Sequence, residues 1–64
     1  MTKEYHSALI RINKANSVGE LEKLERVFTD IYERGFFTVS EFGRLCVKIL
    51  DKTVDIELAE ETVA

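Results

Sequence analysis

The stretch Ile31-Tyr32-Glu33-Arg34-Gly35-Phe36-Phe37-Thr38-Val39-Ser40-Glu41-Phe42 decides the fold. Glycine is the residue best suited to the position just past a helix end, where the backbone turns left-handed, so Gly35 stops whatever helix precedes it. Three residues later Thr38-Val39-Ser40-Glu41 is a capping box, in which a hydroxyl and a carboxylate each satisfy a backbone amide that the first helical turn leaves free. Phe37 and Phe42 occupy the two positions of a hydrophobic staple, which sets the angle at which the chain enters the new helix. A stop followed at once by a start predicts two antiparallel helices joined by a tight turn.

Working outward, the upstream helix begins at a second capping box, Ser17-Val18-Gly19-Glu20. Leu21, Leu24, Phe28 and Ile31 follow at spacings of three, four and three, the seam of a packed helix pair. Glu22 with Arg26 and Asp30 with Arg34 stand at i, i+4 with the acid first, the favourable order. Downstream, Phe42, Leu45, Cys46 and Ile49 make an apolar face that Ile56 extends, and Val47 and Leu50 widen it. Gly43 within this helix costs roughly 1 kcal/mol relative to alanine, which suggests close backbone packing there. Nearer the amino terminus, Tyr5, Ala8, Leu9 and Ile12 fall on one helical face, and Asn16 is the expected stop because asparagine tolerates the left-handed conformation. The reading is an all-α domain of three helices, at about 3–15, 18–34 and 39–58. The second and third form an antiparallel hairpin, and an acidic tail over about 59–64 frays.

Sixty-four residues make one domain, 1–64. A chain this short buries only about 60% of its unfolded surface, so it needs a disulfide, a metal, a partner subunit or exceptional packing. One cysteine excludes an intramolecular disulfide, and Cys46 with His6 cannot supply the four ligands of a structural zinc site. Association, most simply a homodimer, is the expected staple. The amino terminus has no apolar region following its positive charge, and no apolar run approaches the roughly 18 to 20 residues of a membrane span. The expectation from these features is a cytoplasmic protein with no membrane partner. The net charge of −3 is uneven: residues 1–50 sum to +1 and residues 51–64 to −4.

Two motifs invite chemistry. Counted from Asp30, an acid at position 1, Gly35 at 6, Phe37 at 8 and Glu41 at 12 match an EF-hand loop. Tyr32 and Arg34 replace the oxygen ligands at positions 3 and 5, so calcium binding is not expected. Arg44, Lys48 and Lys52 recur every four residues and form a basic ridge on the third helix, the feature a DNA-binding helix-turn-helix would use on phosphates. The acidic balance and the bulky Phe36-Phe37 turn argue against it. His6 has no nucleophile or second histidine at a useful spacing, Cys46 reads as a buried small hydrophobe, and no sheltered carboxylate pair or phosphate loop is present. The expectation is a non-enzyme with no cofactor and no metal. Apolar residues exceed what one stripe per helix needs, and the surface around Phe36, Phe37, Val47 and Leu50 is the candidate interface.

From Met1-Thr2-Lys3-Glu4-Tyr5 through Glu20-Leu21-Glu22-Lys23-Leu24 to Gly35-Phe36-Phe37-Thr38, the chain resembles the small early-region proteins of lambdoid bacteriophages, encoded between the recombination exonuclease and excisionase genes. The resemblance spans the full length and rests on no chemical motif, so it transfers no site residue. It implies a protein of the host cytoplasm, made early in infection, that influences phage development, including the choice between lysis and lysogeny. The segment from Leu21 to Leu50 is also similar to short helical-hairpin modules found at bacterial protein ends. The function expected is regulation by binding a host or phage protein, with a small DNA-binding regulator as the alternative.

Overall fold

The computed structural model describes residues 3–63, and Met1, Thr2 and Ala64 lie outside it. Three helices follow one another: α1 (Lys3–Lys14), α2 (Val18–Glu33) and α3 (Val39–Val63). The closest packing is between α2 and α3, the antiparallel hairpin, and α1 lies across both with more of its contact on α3.

The turn from α2 to α3 follows from local chemistry. Arg34 caps α2, and Gly35 then adopts φ +87°, a conformation that costs a residue with a Cβ roughly 1–2 kcal/mol. The Gly35 N–H donates to the Tyr32 carbonyl at 2.9 Å and the Phe36 N–H to the Ile31 carbonyl at 3.2 Å. This pair of bonds is the Schellman motif, and it satisfies carbonyls that the helix end would otherwise leave free. Two residues on, the Glu41 N–H donates to Thr38 Oγ1 at 3.1 Å and the Thr38 N–H to Glu41 Oε1 at 2.9 Å. The capping box is reciprocal, and its glutamate is buried. The box at α2 is offset: Glu20 N–H donates to Ser17 Oγ, but the Glu20 carboxylate accepts from the Asn16 N–H, one residue before the cap.

Three boundaries differ from the sequence-based expectation. Asn16 is not left-handed, since no residue other than glycine has a positive φ among the described residues. Instead α1 tightens, with the Ala15 N–H donating to the Ile12 carbonyl at 3.2 Å, and Ala15 is buried. The second helix ends one residue early because Arg34 is its cap. The third runs to Val63 and not to 58, because no glycine or proline follows Gly43 to interrupt it.

The core collects Tyr5, Ala8, Ile12 and Ala15 from the first helix and its end, Leu21 and Phe28 from α2, Phe37 from the turn, and Leu45 and Ile49 from α3. The staple residues are both tied to α2: Phe37 meets Phe28 edge-on at 6.2 Å, and Phe42 stacks on Tyr32 at 4.4 Å. Of the two i, i+4 pairs, Asp30 and Arg34 close at 3.2 Å, and no Glu22–Arg26 bridge is present among the described residues. With both side chains largely in solvent, the Asp30–Arg34 pair adds only a few tenths of a kcal/mol. At 25 residues, or about 37 Å of helix, α3 is far longer than the helices it packs against. The molecule is accordingly elongated, 42 × 18 × 16 Å.

Candidate interaction surface

The four apolar residues expected at an interface divide. Phe37 is buried in the core, because the staple turns its ring onto Phe28, and it is withdrawn from the candidate surface. Phe36, Val47 and Leu50 are each more than half exposed. Val47 and Leu50 do not widen the buried face of α3 as the spacing suggested; they lie across the helix from it. The buried face is Phe42, Leu45, Ile49 and Ile56, and the exposed one adds Val39, Val54 and Leu58 to Val47 and Leu50. At 100° per residue these two sets point in roughly opposite directions, so α3 is apolar on two sides.

Gly43 belongs to the exposed stripe, four residues before Val47. A Cβ added there would meet nothing within 4 Å, so the close packing expected at this glycine does not occur within the chain. The sequence signal for this second stripe was present in Gly43, Val47, Leu50, Val54 and Leu58, spaced four, three, four and four, but it overlaps the core pattern and was absorbed into it.

The basic ridge is not a continuous surface. Arg44 and Lys48 are exposed, but Lys52 is half-buried and turns toward α1, where its Nζ donates to the Asn13 carbonyl at 3.2 Å. It thereby closes the carboxyl end of α1, where a cation is favoured by the helix dipole. The remaining two cations share their strip of α3 with Asp51 and Asp55, since 44, 48, 51 and 55 recur at four, three and four. A strip that is half acidic is poorly suited to phosphate contact.

The other chemically suggestive residues have structural surroundings. Asp30 pairs with Arg34, Gly35 makes the Schellman turn that ends α2 and Glu41 the capping box that starts α3, so these EF-hand positions serve the two helix ends at the turn. No group of three or more metal-ligating side chains is assembled among the described residues. Cys46 is half-buried beside the α2–α3 groove, and burial, followed by the charge of Glu25, pushes its thiol above the ordinary range. Such a thiol is a weak nucleophile at neutral pH. His6 is exposed, with its ring edge-on to Tyr5. No helix among the described residues is long and apolar enough to cross a membrane.

Comparison with protein-family models, with curated proteins and with solved structures yields no match.

Proposed function

We propose that this protein is a non-enzymatic regulator that works by binding proteins, beginning with a second copy of itself. The observation that carries the reading is the second apolar stripe of α3, exposed on the side away from the core. Exposed apolar stripes of this kind mark interaction surfaces. A second quantity supports it: the chain exposes 4732 Å², against about 4200 Å² expected for a compact monomer of its mass. The resemblance to early-region proteins of lambdoid phages supplies the setting, a regulator of phage development in the host cytoplasm.

Sedimentation equilibrium at high-micromolar concentration tests the association. The expected mass is twice the 7.4 kDa of the chain, and a monomer at those concentrations would remove the reading. The phage setting has its own test. Supplying the protein in a host before infection by a lambdoid phage should change the fraction of cells that become lysogens, and an unchanged fraction counts against it.

A further inference from the structure

The order of residues along α3 says how a second copy would sit, and this inference rests on the self-association proposed above. The stripe Val39, Gly43, Val47, Leu50, Val54, Leu58 is spaced four, four, three, four and four. That series is the same read in either direction. Reversing the helix about the midpoint between Val47 and Leu50 places Val39 on Leu58, Gly43 on Val54, and Val47 on Leu50. The five side chains are between 45 and 73% exposed, and Gly43 has open space above it. Each apolar residue of one copy therefore meets a counterpart, and the missing Cβ of Gly43 leaves room for the Val54 side chain.

The charges beside the stripe select the same orientation. Arg44, Lys48, Asp51 and Asp55 are all exposed and follow the stripe by one residue, reading plus, plus, minus, minus along the helix. In a parallel two-fold pair this flank would face the opposite flank of the other copy, where Cys46, Ile49 and Thr53 carry no charge, so the four charges would find no complement. In an antiparallel pair the same flank of each helix faces its copy reversed, so cations meet acids. In the register set by the apolar residues, Asp51 falls between Arg44 and Lys48 of the other copy, displaced about 3 Å along the axis from each, and Asp55 falls the same distance from Arg44. Opposite charges at such flanking positions set partner and orientation in paired helices.

We propose that the protein is a symmetric homodimer in which the α3 helices pack antiparallel about the Val47–Leu50 midpoint. The two hairpins then lie on opposite outer sides of a central helix pair, joining two small cores through one apolar seam.

The test is disulfide trapping. Val39→Cys and Leu58→Cys chains are made separately in a Cys46→Ser background, mixed in equal amounts while reduced, oxidised, and read by intact mass. Residues 39 and 58 are about 28 Å apart along one helix, so the orientations give different products. The proposed register gives mostly the mixed 39–58 disulfide. The statistical half of mixed product, or a majority of 39–39 and 58–58 disulfides, overturns it. In parallel, Leu50→Asp in the otherwise native chain should weaken the dimer at least about a hundredfold in sedimentation equilibrium while circular dichroism stays helical. A dimer that survives Leu50→Asp unchanged places the interface elsewhere and overturns the proposal. Either of these failures leaves self-association standing, whereas a native chain that sediments as a monomer removes both.

Discussion

Phe28→Ala is expected to lower the free energy of unfolding by about 3–5 kcal/mol, the range for truncating a fully buried phenylalanine. The Phe28 ring is 2% exposed and is the largest of the completely enclosed side chains. It stands where α2 faces the incoming turn, edge-on to Phe37, and that pairing adds about 0.5–1.5 kcal/mol beyond area burial. Truncation leaves a void between Ala8 on α1 and Phe37 in the turn, and neither can move in to fill it without giving up its own packing. Stability for a chain of this length is about 3–10 kcal/mol in total, so the loss removes about a third of it or more. Urea denaturation followed by circular dichroism, at one fixed protein concentration, measures the loss. Val27→Ala, next in sequence but 42% exposed, is the control and should cost under about 1 kcal/mol. A loss at Phe28 no larger than at Val27 would show that the ring is not the keystone of this core.

Glu41→Ala is expected to cost about 1–3 kcal/mol, and Glu20→Ala at most about 1, although both glutamates serve helix starts. The difference is solvent. The Glu41 carboxylate is buried and accepts the Thr38 N–H at 2.9 Å in a part-buried bond, so its removal takes away an acceptor that solvent replaces less readily. The Glu20 carboxylate is exposed and accepts the Asn16 N–H at 3.1 Å, and water can take its place. Urea midpoints of the two variants compared with the parent check this, and equal losses would mean that burial of the Thr38–Glu41 box adds nothing. Glu41 also anchors the start of α3, so any movement of this turn would tilt the exposed stripe with respect to the core.

The helices were legible in the sequence because the interactions that start and stop them reach no further than five residues. Ser17 with Glu20, Thr38 with Glu41, and Gly35 with the Ile31 and Tyr32 carbonyls are all of this kind. Apolar spacing likewise named the inward faces of α1 and α2. Where the local signal was degenerate, the reading failed. Asn16 is compatible with a left-handed stop, but the Glu20 carboxylate offered its N–H a partner in an ordinary conformation. Phe37 belongs equally to a turn surface or a core, and only the position of Phe28 across the hairpin drew it inward. Lys52 fits a basic ridge, yet the end of α1 lies near enough to take its ammonium.

The α3 stripe shows the division most clearly. The residues themselves state that this helix is apolar on two sides, at 42, 45, 49 and 56 and again at 47, 50, 54 and 58. Periodicity alone ranks neither side above the other, since both repeat with the pitch of a helix. α1 and α2 pack against the side carrying Leu45 and Ile49, and two helices of 12 and 16 residues do not wrap a third of 25. What the sequence by itself determined is the helices, their caps and the hairpin, all encoded by contacts close along the chain. Which side became core and which stayed exposed was decided only by tertiary structure, because burial depends on where distant segments come to rest.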